Sequence, residues 1–196
     1  MNVKPGSLQL ALLAAIAALL FIVAMPANGG GSADPGPAQG GRTMALAITT
    51  ASFPNGGDMP QKFTCDGADV SPELSWSGAP SGTQSFTLIA DDPDAPVGTW
   101  THWVLYDLPA ATTSLAESVS KVDELGGGGR QGRNDFRKIG YGGPCPPPGK
   151  PHRYFFKLYA LDAKVNLKPG ATKQEVEQAM QGHILAQAEL MGKYKR

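Results

Sequence analysis

Residues 43–196 are predicted to form one mainly β domain. Three observations carry this expectation: short β-rich runs separated by turn residues, a long Gly- and Pro-rich stretch without helical periodicity, and a single clear helix start. In chain order, residues 46–50 alternate weakly, and residues 73–76 are a short alternating piece after the turn-like Ser71-Pro72. Residues 85–90 (SFTLIA) are a β-rich run that ends in the acidic cluster DDPDAP. Residues 101–108 (THWVLYDL) form another, closed by Pro109. Residues 118–151 hold many glycines and prolines; stretches of this length in a domain are functional or disordered, and the embedded Phe136, Ile139 and Tyr141 argue for folding back onto the body. Residues 154–161 (YFFKLYAL) are apolar and aromatic enough for a central strand. Thr172-x-x-Glu175 is a capping box that opens a helix with an apolar stripe of Val176, Ala179 and Met180. Residues 184–191 are ambiguous: Ala and Leu favour helix, while Gln187 and Glu189 alternate with Ala186, Ala188 and Leu190 as in a strand.

The first 42 residues read differently. Residues 10–25 are an unbroken apolar run preceded by one cation, Lys4, the layout of a secretory signal or a short N-terminal anchor. The run is a little under the roughly 20 residues that span a bilayer comfortably. No clean small-x-small triplet marks a cleavage point, so cleavage and retention through residues 8–25 both stay open. Residues 28–42 (NGGGSADPGPAQGGR) read as a flexible linker. The expected organisation is a signal peptide or anchor at 1–27, a linker at 28–42 and a domain at 43–196, exported to the periplasm or cell envelope.

The chain carries 17 Lys+Arg against 17 Asp+Glu, so no broad basic field exists and nucleic acid is excluded as an expected partner. The two cysteines, Cys65 and Cys145, lie in loop-like settings (FTCDG and GGPCPP) and are candidates for a disulfide in an oxidising compartment; the sequence leaves their bonding open. Neither has a second ligand at metal-site spacing, so no metal site and no cofactor are expected.

The segments FTCDGADVSPELSW (63–76), DDPDAP (91–96), WTHW (100–103), GRNDFRKIGYGGPCPPPGKPHRYFF (132–156) and GHILAQAELMGKYKR (182–196) resemble, in order and spacing, the phosphatidylethanolamine-binding protein family in its bacterial Raf-kinase-inhibitor-like branch. The resemblance implies a large antiparallel sheet packed on a smaller sheet with a few peripheral helices, and it makes residues 184–191 a strand. It also implies a small anion-accepting pocket for phosphate-like groups, built from Asp92, Asp94, Pro96, His102, Gly143, Pro144, His152 and Tyr154. Animal members carry a second His where this chain has Thr101, and the segment between Pro96 and Trp100 is short, so the lip differs from theirs.

Those residue types suit anion binding. A carboxylate orients an imidazole and favours its protonated form, so a phosphate would meet up to two cationic donors on a proline-stiffened rim. Competing structural roles are Asx turns for Asp92 and Asp94, a core position for Tyr154, and an ion pair for Arg153, which alternation points away from the pocket. His183 is read as structural. No motif that would activate a nucleophile is evident, so a non-catalytic module for a small anionic or phosphorylated ligand is the expected function. The alternatives are a protein-interaction or inhibitor role, and a phosphohydrolase or phosphotransferase using Asp92 with His102 or His152.

Overall fold

The computed structural model describes residues 45–196; the signal or anchor segment and the linker expected at residues 1–42 lie outside the described residues. Eight strands form: β1 (Ala47–Thr49), β2 (Leu74–Ser77), β3 (Ser85–Asp92), β4 (Trp100–Pro109), β5 (Ser114–Leu115), β6 (Arg130–Gln131), β7 (His152–Leu161) and β8 (Ile184–Tyr194). One helix, α1 (Lys173–Met180), and a single 3-10 turn at Gln61–Phe63 complete the described elements. The strands make a five-stranded sheet in the order β6-β4-β3-β7-β8 and a three-stranded sheet in the order β1-β2-β5. Every pairing between these strands is antiparallel. The ambiguous C-terminal run is a strand, in register with β7 from Leu161 opposite Ile184 to His152 opposite Tyr194.

The strand pleat sorts side chains onto two faces. One face of the large sheet presents Phe86, Leu88, Trp103, Leu105, Phe156 and Leu158 to Ile48, Leu74, Trp76 and Leu115 of the small sheet. Trp76 meets Phe86 edge-on, with ring centroids 5.6 Å apart. The other face presents Ile89, Val104, Tyr106 and Leu161 to Ala171 and to Val176 and Met180 of α1. The helix starts as its sequence predicts: the Thr172 hydroxyl accepts from the Glu175 N–H, and the Glu175 carboxylate accepts from the Thr172 N–H at 2.8 Å.

Strand β4 departs from even alternation twice, each time by one extra residue. Phe86 faces Leu108 while Leu88 faces Leu105, so Tyr106 and Asp107 both oppose Thr87, and Asp107 sits at φ 56°. Ala90 faces Trp103 while Asp91 faces Thr101, which leaves His102 without a partner on β3. Such bulges bend a strand and re-aim a side chain.

The Gly- and Pro-rich stretch does fold back. The Trp103 indole N–H donates to Gln131 Oε1 at 2.8 Å, and Gln131 Nε2 donates to the carbonyls of Ser120 and Val122, each at 2.7 Å. Tyr141 is buried, packs edge-on to Trp103 and donates its hydroxyl to the Phe63 carbonyl at 2.8 Å. A disulfide joins Cys65 to Cys145 in the structure and so fastens this stretch to the loop after the 3-10 turn.

Candidate ligand-binding site

Sheet order explains why three distant polar residues meet. The C-terminal end of β3 lies between the N-terminal ends of β4 and β7, so Asp92, His102 and His152 arrive at one sheet end. The pleat sends Asp92 toward the first core and its neighbour Asp91 toward the α1 face, where Asp91 meets Lys157 and Lys173. By strict alternation His102 would follow Val104 to the α1 side. The bulge turns it to the opposite side, where its ring packs edge-on to Tyr154 at 5.2 Å and to Phe136 at 5.3 Å.

The result is a cavity of about 210 Å³. Asp92, His102 and His152 are its ionisable lining residues; Pro96, Trp100, Phe136 and Pro147 are among the apolar ones. Asp92 is nearly buried and both its oxygens are used: Oδ2 accepts from His152 Nδ1 at 2.8 Å, and Oδ1 accepts from the Asp94 N–H at 2.8 Å. The second bond is the Asx turn expected as a competing role for Asp92; the same carboxylate also holds His152. His102 Nδ1 lies 2.6 Å from the Gly142 carbonyl, and the Gly142 N–H donates to the His102 carbonyl at 2.9 Å. Burial pushes the His102 pKa down, partly offset by the Gly142 carbonyl and by Asp92. Against the expectation of two cationic imidazoles, burial favours the neutral ring of His102 over the pull of the nearby carboxylate.

Of the other residues expected in the pocket, only Pro96 lines this cavity. Asp94 is drawn outward: it accepts from the backbone N–H, Nε and Nη2 of Arg153 at 3.0, 2.9 and 2.7 Å. Those Arg153 bonds hold the Asp94 carboxyl down at about 2. Gly143 and Pro144 shape the rim from behind. Gly143 donates its N–H to Asp69 Oδ1 at 2.6 Å, and a Cβ there would collide with the Phe63 carbonyl oxygen. The Pro144 carbonyl accepts from the Cys65 N–H at 3.0 Å. Tyr154 backs His102 from the core; burial raises its pKa, and its hydroxyl is buried without a hydrogen-bond partner. His183 lies away from the site and pairs with Asp162 at 2.7 Å.

Residues missed by the sequence reading are mostly apolar: Val97, Trp100 and Phe136; the wall of Cys145, Pro146 and Pro147 includes two prolines expected in the stiffened rim. Trp100 had a weak signal, since it stands two places before His102 in a quoted motif. Phe136 was marked only as an anchor for the loop. The Gly142 carbonyl, which sets the state of His102, has no sequence signal at all. A second cavity of about 250 Å³ lies beyond Phe136 and Cys145, lined by Asp69, Lys121, Asn134, Lys138 and Tyr141 among others.

The Asp94–Arg153 pair gives a pH signature. The folded-state pKa of Asp94 is depressed from the usual 3.8 to about 2, so its contribution to stability is complete above pH ~4 and is lost as pH falls toward 2. Asp94→Asn should flatten that part of the thermal-stability profile. An unchanged acid limb in the variant would show that the pair contributes nothing.

Comparison with known proteins places this geometry. The family model for the phosphatidylethanolamine-binding protein matches residues 49–195. A UPF0098 protein of Aquifex aeolicus is 53% identical over 153 residues, covering 77% of this chain and 89% of that protein. A UPF0098 protein of Methanothermobacter thermautotrophicus is 50% identical over 151 residues, covering 77% and 99% respectively. Among solved structures, a phosphatidylethanolamine-binding protein homologue from Chlamydia trachomatis superposes with a TM-score of 0.71 at 40% identity, covering 78% of this chain and 98% of that one. Escherichia coli YbcL, described as a member of the mammalian family, superposes with a TM-score of 0.73 at 35% identity, covering 78% and 99%. The chain belongs to the phosphatidylethanolamine-binding protein family, and its two-sheet architecture is that family's fold.

Proposed function

We propose that the chain is an exported, non-catalytic binding module whose cavity takes a small oxyanion or phosphoryl headgroup. The observation that carries this reading is the preformed cavity in which Asp92 orients His152 and the Gly142 carbonyl orients His102. Fixed ring orientations and a proline-stiffened wall lower the ordering cost of binding a small ligand. Among the cavity-lining residues there is no Ser, Thr or free thiol that either imidazole could activate, which supports binding over turnover. Export is supported by the apolar run and linker ahead of the domain, and a disulfide suits an oxidising compartment.

Titration calorimetry with inorganic phosphate tests this reading. His102→Ala and His152→Ala are each expected to weaken binding by about 1.5–3 kcal/mol, the range for a hydrogen bond to a charged group. Asp92→Asn should have a smaller effect, because it releases His152 but also removes a negative charge from the cavity. If phosphate binds and none of the three variants alters its affinity, the site lies elsewhere. Release of product from a phosphate ester in the same samples would instead favour a hydrolase.

A further inference from the structure

We infer that the cavity selects a ligand group that brings its own proton, such as a phosphate or phosphomonoester monoanion, over a fully deprotonated oxyanion of the same shape. This rests on the reading that the cavity is an oxyanion site. The geometry around His102 carries it. A carbonyl oxygen can only accept, so the 2.6 Å contact with Gly142 fixes the proton of His102 on Nδ1. The reciprocal bond from the Gly142 N–H to the His102 carbonyl clamps the two chain segments together, and Phe136 and Tyr154 wedge the ring edge-on from both sides. In the neutral ring the remaining polar atom, Nε2, is therefore a lone-pair acceptor, and the side-chain hydrogen bond of this ring is the one made at Nδ1.

The groups facing His102 keep it in that state. Asp92 comes from β3, His152 and Tyr154 from β7, and Asp135 from the loop that packs on the start of β4. The two carboxylates favour a charged ring, but burial wins and pushes the pKa down. Other cations are turned elsewhere: Arg153 is occupied by Asp94, while Lys157 and Lys173 meet Asp91 on the opposite face of the sheet. The cavity lining thus holds one carboxylate, Asp92, with the imidazole of His152 paired against it and that of His102 paired with a carbonyl. A dianion would bring a second negative charge without a second cation to meet it.

A monoanion with an acidic O–H fits this pattern. Its proton goes to His102 Nε2, and an unprotonated oxygen accepts from His152 Nε2 in the doubly protonated ring, whose other proton is held by Asp92. A further donor is at hand, since the Trp100 indole N–H is buried without a partner and Trp100 lines the cavity. The same phosphoryl chemistry reaches a protein in two forms. A soluble monoester keeps an ionisable proton, whereas the diester of a lipid within a bilayer does not.

Three probes separate the features, phosphate and sulfate being matched in size and dimethyl phosphate larger by two methyl groups. At about pH 6.5, where a His102 ring whose pKa is pushed down by burial is mostly neutral, inorganic phosphate is mostly a protonated monoanion; sulfate carries two charges and no proton, and dimethyl phosphate carries one charge and no proton. Calorimetry on the purified full chain should show phosphate binding at least about tenfold more tightly than either, because a deprotonated ligand leaves the buried His102 acceptor unsatisfied. Phosphate affinity should then fall about tenfold per pH unit once its monoanion is depleted. His102→Gln, whose amide can turn a donor to the ligand, should reduce the preference to less than about threefold. Sulfate or dimethyl phosphate binding as tightly as phosphate to the wild type would overturn the inference and leave the oxyanion reading standing, with dimethyl phosphate pointing to a membrane diester. A preference that survives His102→Gln would also overturn it. If none of the three probes binds, the oxyanion reading falls and the inference with it.

Discussion

Removing the Cys65–Cys145 disulfide is expected to lower the unfolding free energy of the domain by about 4–5 kcal/mol in the chain-entropy model. The two cysteines are separated by 80 positions, so the cross-link removes a large share of the conformations open to the unfolded chain. The loss is large against the roughly 5–15 kcal/mol that holds a typical domain folded. Both residues are solvent-exposed, so a dithiol reductant has access to the bond under native conditions. Urea unfolding of the oxidised protein, the reduced protein and a Cys65→Ser/Cys145→Ser variant measures the effect. A midpoint unchanged by reduction would mean that the hydrogen bonds around Tyr141, Gly143 and Pro144 hold the loop without help. Ligand affinity should fall in parallel, because Cys145 and the two prolines after it form one wall of the cavity.

The second large effect is expected at Asp91, one residue from the site but on the other face of the sheet. Its carboxylate is fully buried, with Lys157 Nζ at 2.9 Å and Lys173 Nζ at 2.7 Å. Asp91→Ala would leave two ammonium groups facing each other beside the second core. Breaking a buried ion pair from one side costs about 3–5 kcal/mol. Here both lysines keep some exposure, 30% and 20%, and can turn their ends to water, so about 2–4 kcal/mol is expected. Adding Lys173→Met should recover part of the loss, since it removes one of the unpaired charges. Thermal or urea unfolding of the single and double variants forms the test, and a loss below about 0.5 kcal/mol, the usual range for surface substitutions, would show that the lysines are solvated independently of Asp91.

The contrast between Asp91 and Asp92 follows from the strand pleat rather than from any motif. Once residues 85–92 form a strand, its last two carboxylates fall on opposite faces. The long strands β3, β4 and β7 were legible because β-rich and aromatic residues run unbroken over most of their length. Strands β5 and β6 were not, since two residues each carry no periodicity and form only because partners are present. The C-terminal strand needed the family resemblance, because its Ala and Leu content favours helix locally and pairing with β7 overrides that preference. Within the site, Asp92, His102 and His152 stood out by residue type and motif. The fate of Asp94 did not, because its engagement with Arg153 depends on the turn after β3 meeting the start of β7 across 59 positions of chain. Burial of His102 was equally hidden: it comes from Phe136, Tyr154 and the Gly142 backbone, which sequence alone does not bring to the ring.

The irregularity at the start of β4 separates two messages that one stretch of chain would otherwise have to carry together. Trp103 is already opposite Ala90 and Thr101 opposite Asp91, so the ladder closes evenly around the residue between them. His102 is therefore a surplus letter in the text of the sheet: striking it out would leave the neighbouring pairs adjacent and in step, with both cores keeping their side chains. Such a protein could shed its imidazole by deletion, or acquire one by insertion, without relearning how to fold. Architecture and recognition are thus written in separable characters at this point, and proteins that share this stacking of two sheets can differ in ligand through an edit of one position.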